Sequence, residues 1–212
     1  MQTTKDTLKS SRHNFGEDPF GYCVLARHKL GLASTIAGFP VDITKPATEN
    51  ELKNPVLWLT QAHALSEAAI AVLEKDPAFG VIPSSIRDVC DSQYCAVGLM
   101  LVGYSLEICL KSMMIMREGI DGYKAIEKKN RHHRLHQLAS FIPELSEKDL
   151  AILKGLTHFV YWAGRYPDPG SGREDDVEDI FNISEEYQIS AKDIFTLLTK
   201  VMQYSLCIAE KT

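Results

Sequence analysis

The stretch Gly103-Tyr104-Ser105-Leu106-Glu107-Ile108-Cys109-Leu110-Lys111 lies inside the most apolar run of the chain, Cys95 to Met116, and still carries two charges. On a helix Glu107 and Lys111 share one face, with the acid ahead of the base, the better order for an ion pair. The run around them is apolar on nearly every side, which marks a helix with neighbours all round. Charges set into such a helix need partners, because burying either alone is costly. The rest of the chain must therefore supply both packing elements and polar partners.

The composition permits this. Of 212 residues, 45% are apolar and 24% charged, enough for a core of ordinary size. A net charge of -5 excludes a protein that coats nucleic acid or an anionic membrane with its whole surface, though not a local basic patch. The five cysteines (Cys23, Cys90, Cys95, Cys109, Cys207) are odd in number and form no CxxC pair, so they read as reduced, mostly buried thiols. Residues 1–12 lack the apolar core of a secretory signal. Glu107 and Lys111 interrupt the best membrane-span candidate. The expectation is a soluble cytoplasmic chain with no membrane association.

Outward from the central helix, start and stop signals define the neighbours. Pro83, Ser84 and Ser85 open the central helical region, and Gly119 closes it after Lys111 and Arg117. Upstream, Asn54 as N-cap and Pro55 at the first helical position begin a helix to about Lys75. Its inward stripe is Leu59, Ala62, Ala69, Ile70 and Leu73, and His63 falls on that stripe as a core histidine. Downstream, 121–130 reads as a polar connector and Arg131–Leu138 as a short helix, stopped by Pro143. Ser146, with Asp149 at N3 and Leu145 ahead of it, starts a helix to Gly164. Ser190, with Asp193 at N3, starts the last helix. Between them lie a rigid turn, Arg165-Tyr166-Pro167-Asp168-Pro169, and an acidic solvated loop over 170–186.

Residues 1–50 show no sustained helical period and are punctuated by Gly16, Gly21, Gly31, Gly38 and Pro40. They read as an irregular N-terminal arm on a domain of residues 51–212. No internal repeat or low-complexity tract stands out. The fold class that follows is all-α, an antiparallel four- to five-helix bundle.

Three landmarks in order, Gly103-Tyr-Ser-Leu-Glu107-x-x-x-Lys111, His133-Arg-Leu-His-Gln-Leu138 and Gly164-Arg165-Tyr166-Pro167, resemble those of the HEPN (higher eukaryotes and prokaryotes nucleotide-binding) superfamily of helical bundles. The resemblance spans residues 54–210. It implies a homodimer and one of two functions. The first is metal-independent endoribonuclease activity in a toxin–antitoxin or phage-defence system. The second is a non-catalytic module that holds a nucleotide or a protein partner, such as an antitoxin or a nucleotidyltransferase.

Catalytic members carry an Arg, a polar residue and a His four to six positions on. Arg131, His132 and His136 fit that pattern and are the candidate catalytic residues. A near-neutral imidazole can take the ribose 2′-hydroxyl proton, and a guanidinium can clamp the scissile phosphate. The competing polar group is Glu107, Lys111, His133 and Arg165. It is either a clasp tying three helices together or an anion pocket with Lys111 and Arg165 on phosphate. His132 and His136 at i, i+4 lack the further ligands of a zinc site, so no metal and no cofactor are expected. Tyr104, Tyr161 and Trp162 read as bundle packing.

Overall fold

A computed structural model of the chain describes residues 12–211. Among them the fold is all-α, with no strand. Two compact units divide it, Met1–Leu57 and Trp58–Thr212.

The first unit departs from the expected irregular arm. It holds α1 (His13–Glu17), α2 (Pro19–Val24), α3 (Ala26–Ile36) and the single turn α4 (Glu49–Leu52). The glycines do not break these helices. Asp18 caps α2 by accepting from the Gly21 amide at 2.8 Å. Gly31 is buried within α3, where a Cβ would stand 2.5 Å from an Ile43 methyl. Arg27 draws the unit's later residues in, bonding the Lys45 carbonyl at 3.1 Å and the Glu51 carboxylate at 3.1 Å.

The second unit is organised by α6 (Arg87–Glu127), entered through the 3₁₀ turn Ser84–Ile86. Val102, Leu106, Cys109, Leu110 and Met113 are fully buried along it. The expected end at Gly119 is a break (φ 70°, ψ 168°), after which the helix resumes to Glu127. Residues 121–127 are therefore not a connector, and the reason is Tyr123. Its ring is buried and meets Trp58 edge-on at 6.2 Å. Trp58 lies on α5 (Pro55–Leu73), which begins as expected: the Asn54 side chain accepts from the Val56 amide at 2.9 Å. Only Ala62 and Ala69 of α5 are buried, and His63 is exposed rather than in the core.

Two stretches, Glu49–Leu73 and Ser84–Glu127, are long and apolar enough to cross a membrane by length and composition alone, against the sequence reading. The second is largely buried in the fold, as a core helix would be. Within it Glu107 and Lys111 pair with one another. The thiols also differ from expectation: only Cys109 is buried, and Cys23, Cys95 and Cys207 are exposed.

Four further helices follow among the described residues of the unit. The turn α7 (Leu135–Leu138) is shorter than expected, leaving Arg131–Arg134 outside any helix. Next, α8 (Glu147–His158) runs into a π-helical turn, Phe159–Ala163, that ends at Gly164. The wide turn matters at that glycine, where a Cβ would stand 2.3 Å from Met100 and 2.9 Å from the Ala96 carbonyl. A Cβ on Gly103 would likewise stand 2.4 Å from Val160. Both landmark glycines are thus points where α6 and the end of the α8 segment approach closely.

The expected acidic loop is instead a helix, α9 (Asp175–Tyr187), with Ile183 buried. The last helix is α10 (Ala191–Ala209). Both serine caps form full capping boxes, Ser146 with Asp149 and Ser190 with Asp193. They also expose a short recurrence too brief to stand out as a repeat: Glu144-Leu-Ser-Glu-Lys-Asp-Leu150 and Gln188-Ile-Ser-Ala-Lys-Asp-Ile194. Each copy begins with a non-glycine residue at positive φ, 62° at Glu144 and 47° at Gln188. Lysines tie the copies together. Lys148 reaches Asp193 at 2.8 Å and the Gln188 carbonyl at 3.1 Å, while Lys200 reaches Asp149 at 3.0 Å and the Glu144 carbonyl at 2.6 Å.

Candidate functional site

The charged pair of the central helix has the partner that the sequence suggested. Glu107 is 5% exposed, and each carboxylate oxygen is engaged. Lys111 Nζ donates to Oε1 at 2.6 Å, and His133 Nδ1 lies 2.8 Å from Oε2. A carboxylate only accepts, so His133 carries its proton on Nδ1. Edge-on contact with the Tyr104 ring, 6.1 Å between centroids, fixes the imidazole from its other side. The segment holding His133 is itself anchored: the Leu135 amide donates to Thr157 Oγ1 at 3.1 Å, and that hydroxyl donates to the Leu153 carbonyl at 2.8 Å.

Arg165 does not join this group. It is exposed, donates to the Tyr161 carbonyl and lies 5.7 Å from the Tyr166 ring centroid. The π-helical turn carries the chain away before the guanidinium can point inward, so the clasp has three members. Tyr161 is also exposed, with Arg173 over its ring at 4.4 Å, whereas Trp162 is buried.

The three candidate catalytic residues differ in their surroundings. Arg131 is exposed, and its charge acts on Tyr123. His132 accepts from the Arg134 amide at 3.2 Å through Nδ1. Because Arg131–Arg134 is not helical, the i, i+4 geometry assumed for His132 and His136 does not arise. His136 lines a cavity of about 750 Å³ that Arg131 does not reach. Its Nδ1 is closed off without a partner, which leaves Nε2 as the ring's polar contact. Burial, then the charges of Lys154 and Arg134, hold His136 below the usual histidine range. His132 is lowered too, by burial first and then by Arg134 and Lys111.

That cavity brings in residues that the sequence reading left out. Along α8 the face Glu147, Leu150, Ala151 and Lys154 lines it, and along α9 the face Asp179, Asn182, Ile183 and Glu186. At one end Asp179 joins the helices, with Lys154 Nζ at 2.7 Å and His158 Nε2 at 2.9 Å. Burial opposes ionisation of Asp179, but its bonds to Lys154 and His158 outweigh that and hold its carboxyl below the usual range. The signal was available in Val177, Ile180, Ile183 and Tyr187, which recur at helical spacing. It was masked because α9 has no side-chain N-cap and ends on Gln188 in the left-handed region instead of on glycine.

Among the described residues no group of three or more His, Cys, Asp or Glu side chains is placed to hold a metal ion. The chain matches no family model, no curated protein and no solved structure.

Proposed function

We propose that this chain is a HEPN-like antiparallel helical bundle that serves as a non-catalytic binding module in the cytoplasm. One observation carries this reading: Arg131 and His136 occupy separate surroundings, one on the open surface beside Tyr123 and the other inside a cavity with Lys154 and Asp179. Cleavage needs a guanidinium on the phosphate within reach of the hydroxyl that the imidazole deprotonates, and such different surroundings within one chain favour a binding role over that arrangement. The polar group on α6 does not replace it, since both oxygens of Glu107 are already engaged. The cavity, by contrast, falls in the size range of small-molecule sites and combines an apolar floor with a few polar groups.

The endoribonuclease reading keeps one supporting observation. His136 is held below the usual histidine range and is thus a neutral imidazole near pH 7, the form that takes a proton. In that reading a homodimer would bring Arg131 of one copy to His136 of the other. Incubating purified protein with RNA in EDTA separates the two readings. The binding-module reading expects no cleavage, together with co-purification of a protein partner. Cleavage that disappears in both Arg131→Ala and His136→Ala overturns it.

A further inference from the structure

We infer that the trough between α8 and α9 binds an organic cation with an apolar body, its ammonium end held between Glu147 and Glu186. This rests on the binding-module reading and adds the chemical class of the ligand.

The trough is polarised. Its two faces repeat at three and four residues along each helix, so they form continuous walls about 10 Å long, seven residues at 1.5 Å each. The helices run antiparallel: Lys154 pairs with Asp179 at one end, and at the other Glu147 and Glu186 both act on the Tyr187 hydroxyl. The first end is electrically settled, because Asp179 is matched by Lys154 and His158. The second is not. Glu144, Glu147 and Glu186 all line the cavity there, and none has a basic partner at ion-pair distance. The lysines around the trough are committed elsewhere, Lys148 to Asp193, Lys200 to Asp149 and Lys154, whose charge also acts on Tyr187, to Asp179.

Between the ends the floor is apolar. Ile142, Ala151 and Ile183 are buried beneath it, and Leu150, 40% exposed, projects along it. An apolar body gains by covering this surface. A ligand bringing positive charge to the Glu147–Glu186 end meets carboxylates without a basic partner, Glu186 holding only the Tyr187 hydroxyl, and one bringing negative charge is repelled. A bare metal ion is a poor match, since no three ligating side chains converge. An ammonium asks for less: nearby negative charge and acceptors for its N–H groups.

Three probes with one body and different heads test this: octylamine, octanol and octanoate, titrated calorimetrically into the full chain at low ionic strength. Octylamine is expected to bind at least tenfold tighter than octanoate, and raised salt is expected to shrink that ratio. The variant Glu147→Gln/Glu186→Gln changes two exposed side chains, and circular dichroism checks its fold. It should lose the preference for the ammonium while keeping its affinity for octanol. NMR of the His136 ring locates the ligand, because its signals should shift on titration with octylamine. Equal affinity for the three heads, a preference that survives in the double variant, or unmoved His136 signals would each overturn the inference. Octanol binding without ammonium preference overturns the charge assignment while leaving the binding-module reading standing. Failure of all three probes to bind overturns the inference, and RNA cleavage in EDTA overturns the module reading separately.

Discussion

Two carboxylates in this protein are each held between a lysine and a histidine, and they differ in which member is buried. In the α6 clasp the carboxylate is the inner member: the Glu107 side chain is 7% exposed, Lys111 14% and His133 37%. In the α8–α9 group the order is inverted, with His158 13% exposed, Asp179 33% and Lys154 50%. A buried acid cannot lose its partners without leaving an uncompensated charge in the core, whereas a half-exposed acid can turn to water. A carboxylate between a lysine and a histidine thus makes a fixed element of the fold in one place and an adjustable wall of a cavity in the other.

The sharpest way to break this comparison is to remove each acid in turn. Glu107→Ala should destabilise by about 3–5 kcal/mol, because Lys111 is then stranded within the fold. Denaturant unfolding measures it, and Glu107→Leu combined with Lys111→Met should recover most of the loss. Asp179→Asn should cost less than about 1 kcal/mol, as exposed ion pairs do. A loss at Asp179 as large as that at Glu107 would erase the distinction.

A smaller effect sharpens the contrast through pH. His136 has a folded pKa below its unfolded value, so its contribution is complete above about 6.5 and is lost as pH falls toward the folded value. Asp179 is also lowered, but its contribution is present above about 3.9 and is lost only as pH falls through its folded value. Urea midpoints followed downward from pH 8 should therefore show a first, shallow loss below about 6.5 and a second below about 3.9. His136→Gln should reduce only the first, and Asp179→Asn only the second.

What could be read from the sequence divides along the same line. Glu107, Lys111 and His133 were legible because an ion pair inside an apolar run demands a partner, and few residues could provide one. The starts at Asn54, Ser146 and Ser190 were legible because each carries its own cap, visible in a few adjacent residues. Arg165 was misplaced because a π-helical turn shifts the facing of every later side chain, and nothing in Phe159–Ala163 announces it. The helix α9 was hidden under acidic residues that normally mark solvent. With it went Asp179, and so the cavity wall that gives His136 its surroundings. Glycine misled in the first unit, where Gly21 and Gly31 serve a cap and a close contact within helices instead of ending them.

The lysines that reach the starts of α8 and α10 carry one further consequence. Each capping box is completed by a side chain from the other helix, with Lys200 on Asp149 and Lys148 on Asp193. Opening the first turn of α8 therefore strips Lys148 from Asp193, whereas opening the first turn of α10 leaves the mid-helix Lys200 on Asp149. Hydrogen exchange at the Asp193 amide should then quicken in Lys148→Ala, while exchange at the Asp149 amide should be unchanged by substitutions in the first turn of α10. A chain segment 44 residues away in sequence becomes, for the purpose of unfolding, the neighbouring turn of the same helix.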